Sequence, residues 1–134
     1  MKPVIPPDAT TLGVGVDLVD VDRIRKSREN HGSYFLEKVF TEEEREYCLG
    51  MSDPDPHLAA RFAAKEAVAK AFGTGIGKDV GWRSISVSRE ASGAPLVILD
   101  DKAKAKLKAL GGTQVLLSLS HLTNLAAAFA VITR

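Results

Sequence analysis

The segment HLAARFAAKEAVAKAF, residues 57–72, limits the fold more than any other part of the chain. At roughly 100° per residue, Ala60, Ala63, Ala64, Ala67 and Ala71 fall on one arc of a helix. Methyl groups alone let a helix axis come close to a sheet, so this arc predicts tight packing on strands. The rest of the circumference mixes Leu58, Phe62, Val68, Ala69 and Phe72 with Arg61, Lys65 and Glu66, and Lys70 lies at its edge. Charges among large apolar groups do not make an ordinary solvent face. The pattern predicts either a subunit interface or a polyanion with a cation that neutralises these groups. A plain i,i+4 pair of Glu66 with Lys70, worth roughly a few tenths of a kcal/mol, is the alternative.

Around this helix the periodicity changes several times. Residues Leu12 to Val19 alternate as a strand, with Val14, Val16 and Leu18 on one face and Gly13, Gly15 and Asp17 on the other. Two glycines beside an acid clear space for a backbone or a ligand. Asp17 could instead cap a turn, although Asp20 and Asp22 compete for that role before the basic helix expected from about Val21. An apolar patch follows from Tyr34 to Phe40. Thr41 and Glu44 read as a capping box that opens a helix ending near Gly50, with Glu42, Glu43, Glu44 and Glu46 on a solvated face. MSDPDP is turn-rich. Gly73 and Gly75 stop the alanine-rich helix. Ile85 and Val87 alternate with serines, and ASGAP reads as a hairpin turn into a strand from Leu96 to Leu99. A helix from Asp101 to Leu110 ends at Gly111 and Gly112. Strands Val115 to Ser120 and Leu125 to Ile132 are joined by HLTN. Hairpin-linked strands with inserted helices predict an α+β fold with a largely antiparallel sheet packed against helices.

The 134 residues suit one domain, over 11–134, behind a flexible leader at 1–10. With 45% hydrophobic and 26% charged residues the chain reads as a soluble globular protein. No apolar run approaches the roughly 20 residues of a membrane-spanning helix. The leader lacks the apolar stretch of a secretory signal. Cys48 stands alone, which excludes an intramolecular disulfide and fits a buried hydrophobe in a reducing cytoplasm. A formal net charge of +1 gives no argument for nucleic acid.

GTGIGK, after the helix, is not a P-loop: the order of its glycines and lysine differs, and it follows a helix rather than opening one. Its backbone N–H groups could still bind phosphate. Asp17 and Glu66 are hard oxygen ligands suited to Mg²⁺, which takes one or two carboxylates plus phosphate oxygens and water. Arg61, Lys65, Lys70 and the glycine loop are what a diphosphate needs around such an ion. Separation in sequence does not show that the two carboxylates meet.

GVGVDLVDVDRIRK, FTEEEREYC, RFAAKEAVAKAFGTGIG and LSLSH before an alanine-rich strand resemble the holo-[acyl-carrier-protein] synthases, the small 4′-phosphopantetheinyl transferases, over about residues 12 to 132. The resemblance implies Mg²⁺-dependent transfer of 4′-phosphopantetheine from coenzyme A to a serine of apo-acyl carrier protein, with release of 3′,5′-ADP, in fatty acid biosynthesis. It implies that Asp17 and Glu66 bind Mg²⁺ with the coenzyme A diphosphate. By the same resemblance Arg61, Lys65, Lys70, Gly73, Thr74 and His121 line the coenzyme pocket, with Lys65 stabilising the transferring phosphoryl group. Arg23 resembles the basic residue that docks the acidic carrier, and the family's homotrimer binds coenzyme A between neighbours. Phe62 stands where many members have Trp, and LTNLAAA lacks the extra polar residue some members carry after the histidine. A metal-dependent nucleotide phosphohydrolase and a non-catalytic carrier-binding module are the rival readings.

Overall fold

The computed structural model describes residues 4–134. The chain runs β1 (Thr11–Asp20), α1 (Val21–Val39), α2 (Glu42–Leu49), α3 (Pro54–Ala71), a 3₁₀ turn (Trp82–Ser84), β2 (Ile85–Arg89), β3 (Pro95–Leu99), α4 (Asp101–Ala109), β4 (Gln114–His121) and β5 (Leu125–Thr133). The strands form an antiparallel sheet of order β1-β5-β4 and a separate antiparallel hairpin, β2-β3. The α+β architecture and the largely antiparallel pairing read from the sequence are both present.

The alanine arc of α3 presses on the β1-β5-β4 sheet, and the glycine face of β1 explains how closely. A Cβ added at Gly13 would stand 2.0 Å from the Ala71 carbonyl oxygen, and one at Gly15 would stand 2.0 Å from that of Ala67. The cleared space therefore belongs to the backbone of α3. Ala126, Ala128 and Ala130 of β5 are buried too, continuing a floor of small residues. Larger side chains, Leu58, Val68 and Ile132 among them, close the core, each contributing about 1.5–3 kcal/mol on full burial.

The larger side chains of β1 point the other way. Val16 is 57% and Leu18 65% exposed, and Phe129 and Leu116, on the neighbouring strands, are each nearly half exposed. Val16 pairs directly with Phe129, and Leu116 with Val131, so these apolar side chains share the outer face of the sheet, with Ser118 and Ser120 at its β4 side.

Asp20 wins the competition to cap α1, accepting from the Asp22 amide at 3.0 Å. The basic helix and the apolar patch after it form one helical segment, broken at Gly32 (φ 51°, ψ −128°), a conformation open to glycine. The capping box of Thr41 and Glu44 is present. Helix α3 starts at Pro54 rather than near His57, because a proline in the first turn leaves no helical hydrogen bond unmade. Of the leader expected over residues 1–10, residues 1–3 lie outside the described residues; Pro7, Ala9 and Thr10 accept hydrogen bonds from Arg134. Among the described residues no helix is long and apolar enough to cross a membrane.

Candidate active site

Asp17 sits on the α3-facing side of β1, just beyond the glycines. Because those glycines let α3 lie so low, residues one turn apart on the helix reach the strand's carboxylate. Lys70 Nζ donates to Asp17 Oδ1 at 3.0 Å and to the Val16 carbonyl at 3.1 Å. Glu66, one turn earlier, is half-buried beside them. Its carboxyl is raised above the usual range, by burial first and then by the negative charge of Asp17, while Lys70 and Arg23 oppose the shift. The two carboxylates are thus close enough to repel. Arg23 lies with its guanidinium carbon 5.3 Å from the centroid of the Phe62 ring, one turn of α3 before Glu66. Asp17, Glu66, Lys70 and Arg23 consequently share one patch, and the ion pair of Lys70 is with Asp17 rather than with Glu66.

Two carboxylates that repel each other, with one lysine and one arginine at hand, suit a divalent cation that completes its shell with phosphate and water. No cluster of three or more His, Cys, Asp or Glu capable of holding a metal occurs among the described residues. The donor set fits Mg²⁺, which keeps several waters, better than an ion that needs a full protein cage.

Lys65 departs from its expected role. It is wholly buried, and its Nζ contacts Glu44 Oε1 at 2.6 Å, the Trp82 carbonyl at 2.9 Å and the Ile85 carbonyl. The ammonium meets one acceptor for each of its N–H bonds, so it has none to offer a phosphoryl group. Glu44, expected on a solvated face, is wholly buried as well: its Oε1 accepts from the Thr41 amide and its Oε2 from the Val87 amide, both at 2.9 Å. The pair ties α2, α3 and β2 together. The counter-charge for this part of α3 comes from the chain itself, a third solution beside the interface and the polyanion.

Arg61 and His121 meet elsewhere, at a cavity of about 200 Å³ that His57, Ser88, Arg89 and Pro95 also line. Arg61 is only 3% exposed, and both its guanidinium and that of Arg89 lie over the Tyr47 ring, at 4.4 and 4.6 Å from the centroid. The His57 and His121 rings are 5.0 Å apart. Arg61 Nε and His57 Nδ1 are buried without a hydrogen-bond partner, which marks a place where an anion would complete the structure. Burial, then His121, Arg61 and Arg89, holds His57 below the usual imidazole range, against the pull of Asp53. Sequence reasoning missed His57, Arg89 and Tyr47. His57 lies one turn before Arg61 and could have been placed; Tyr47 and Arg89 arrive on other elements and gave no signal.

Arg61 and Glu66 are five positions apart, so they project roughly 140° from each other around α3. One chain therefore builds the acidic patch and the basic cavity on different sides of one helix. At its end, the Thr74 and Gly75 amides both donate to the Ala69 carbonyl (3.2 and 3.1 Å), and Gly73 and Gly75 take φ of 81° and 65°. The amides of Thr74 and Gly75 thus close α3 instead of opening an anion nest.

Comparison with known proteins gives one consistent match. Residues 13–130 fit the model of the 4′-phosphopantetheinyl transferase superfamily. A holo-[acyl-carrier-protein] synthase of Chlamydia trachomatis serovar L2 is 52% identical over 120 residues, 90% of this chain and 98% of the relative. The crystal structure of the Neisseria meningitidis holo-[acyl-carrier-protein] synthase superposes with a TM-score of 0.87 at 35% identity, covering 92% of this chain and 99% of that one. The Helicobacter pylori enzyme, in complex with coenzyme A, gives 0.80 at 31% identity, covering 90% and 99%.

Proposed function

Because the chain belongs to the 4′-phosphopantetheinyl transferase superfamily, as an enzyme of the holo-[acyl-carrier-protein] synthase type, we propose that it moves 4′-phosphopantetheine from coenzyme A to a serine of apo-acyl carrier protein, releasing 3′,5′-ADP. The observation that carries the reading is the patch of Asp17, Glu66 and Lys70, two repelling carboxylates and an ammonium on the β1–α3 contact.

Asp17 and Glu66 would hold Mg²⁺, which when bound with the diphosphate supplies charge neutralisation for the transferring phosphoryl group. Lys70, whose side chain is about half exposed, is free to swing from Asp17 to an oxygen of that group and stabilise its developing charge. Lys70 thus takes the role first given to Lys65, and Lys65 holds α3 in place through Glu44. The carrier serine attacks the β-phosphorus; its proton leaves to a base, and the electron pair of the broken P–O bond departs with 3′,5′-ADP.

Arg61, His121, His57 and Arg89 take an anionic part of the coenzyme remote from the diphosphate, with Gly73 and Thr74 shaping the rim at the end of α3. Arg23 docks the acidic carrier beside the reacting groups. The apolar outer sheet face of Val16, Leu18, Leu116 and Phe129 supports a homotrimer, in which the acidic patch of one chain faces the basic cavity of the next. A buried Cys48, its thiol pushed up to about 11 by burial, is unreactive and fits a cytoplasmic protein, and the family membership supports a role in fatty acid biosynthesis.

The test is to incubate the protein with coenzyme A, Mg²⁺ and apo-carrier and to weigh the carrier. A gain of one phosphopantetheinyl group is expected, lost on chelation of the metal. Asp17→Asn and Glu66→Gln should each lower the rate by a factor on the order of 10³ or more while leaving the fold intact. Coenzyme cleavage with no gain on the carrier would favour a phosphohydrolase; full activity of either variant at low Mg²⁺ would remove the metal assignment.

A further inference from the structure

Four cations, Arg23, Arg25, Lys26 and Arg28, crowd the first turns of α1, but they are not equivalent. Lys26 pairs with Asp22 at 3.0 Å. Arg25 and Arg28 converge on Asp55, the second residue of α3, whose side chain is 2% exposed. Asp55 Oδ1 accepts from Arg28 Nε at 2.7 Å, and Oδ2 accepts from Arg28 Nη2 at 2.9 Å and Arg25 Nε at 3.2 Å. This is a bidentate pair with a second guanidinium added, a geometry that fixes direction as well as distance. Arg23 makes none of these ion pairs; it lies over Phe62, next to Glu66.

We infer that Asp55 is a positioning residue for carrier docking: by gripping Arg25 and Arg28 it clamps α1 against α3 and so keeps Arg23 beside Glu66. The inference rests on the proposed docking role of Arg23. Val21 and Ile24 bury one side of α1. Arg25 leaves one flank of that side, and Arg23 projects roughly 160° around the helix from it. A roll of α1 that the clamp prevents would therefore swing Arg23 off Phe62. The hold spans an i,i+3 pair of arginines, which resists sliding as well as rolling.

Simple charge counting makes the opposite forecast. Removing the Asp55 charge leaves Arg28 without its carboxylate and Arg25 with only Asp22, at 3.5 Å, makes the α1 surface more positive and should draw an acidic carrier more strongly. The sign of the effect thus separates positioning from neutralisation.

The experiment measures KM for apo-carrier and for coenzyme A separately in Asp55→Asn, with the melting temperature alongside. Positioning predicts that KM for the carrier rises on the order of tenfold while KM for coenzyme A and kcat at saturating carrier stay within about twofold. Asp55→Glu should recover part of the loss. A carrier KM that is unchanged or lower overturns the inference, as does an equal rise in both KM values with a fall in melting temperature. Should Asp55→Asn fail to fold, Arg28→Gln removes the bidentate grip and leaves the Arg25 contact; it must give the same split, and a carrier KM left at the wild-type value counts against the clamp. Arg23→Glu is the reference. If it raises the carrier KM and Asp55→Asn does not, only the clamp is wrong; if it has no effect, the docking reading falls and the clamp with it.

Discussion

Lys65 and Lys70 lie on the same helix, and burial alone decides their opposite fates. Lys65 is sealed in with Glu44 and two carbonyls, whereas Lys70 reaches out to Asp17 with its side chain about half exposed. Lys65→Met should therefore cost about 3–5 kcal/mol in urea unfolding, because it strands the Glu44 carboxylate in the core without a cation. Lys70→Ala breaks an exposed pair worth about 0–1 kcal/mol, so its unfolding midpoint should barely move while its turnover collapses. Equal stability losses in the two variants would contradict the division of roles. The sequence identified Lys65 as anomalous, a charge among Leu58, Phe62 and Val68, but could not find its partner. Glu44 already had a sufficient explanation in its capping box with Thr41, and nothing local says that the oxygen capping Thr41 also meets Lys65 while the other takes the Val87 amide. Asp17 was more legible, since no strand needs an acid after two glycines, but its nearness to Glu66 depends on how low α3 sits.

That height is set at the scale of elements. Helix α3 and strand β1 meet with backbone on backbone, and Gly13 and Gly15 are the condition for it. At Gly15 a Cβ would lie 2.0 Å from the Ala67 oxygen and 2.9 Å from the Ala71 nitrogen, neither of which can turn aside. Gly15→Ala should lift the helix, destabilise the protein by about 3 kcal/mol and move Glu66 and Lys70 away from Asp17, so that activity falls further than the unfolded fraction explains. Gly77→Ala is the control, for no atom stands within 4 Å of a Cβ there and its φ is ordinary; urea curves and rates on the two variants decide. Most elements were legible because their periods of 2 and 3.6 were uninterrupted and their caps were explicit, as at Thr41 and Gly111. The beginning of α3 was not, since DPDP reads as a turn until one knows that its prolines occupy the first helical turn. Nor was the break at Gly32, a lone glycine inside a helical pattern.

At the scale of the whole molecule the unfinished parts belong together. One chain carries an acidic patch on one side of α3, a basic cavity with unpartnered Arg61 Nε and His57 Nδ1 on another, and a sheet face that exposes Val16, Leu18, Leu116 and Phe129 together. In the proposed trimer each contact is the same heterologous one, so both halves of every site would be completed by neighbours. This decides which residues should complement each other. Arg23 and Glu66 lie together in a single chain, so variants of those two cannot rescue one another by mixing. Glu66→Gln and His121→Ala, one from each half, should do so. After each is shown to be nearly inactive at low coenzyme A, the two are mixed in equal amounts, unfolded and refolded together. Random assembly then joins an intact Glu66 to an intact His121 at roughly a quarter of the interfaces, and activity should return to about that fraction of wild type. Brief mixing of preformed trimers should recover nothing. The same protocol with Glu66→Gln and Arg23→Glu should also recover nothing, since no chain in that mixture carries both residues intact. Absence of recovery in the first mixture, with mixed trimers verified by mass, would mean that each chain closes its own site. Leu18→Asp, which puts a charge on the β1 side of the apolar face, should yield monomers and abolish activity even though it touches no reacting group.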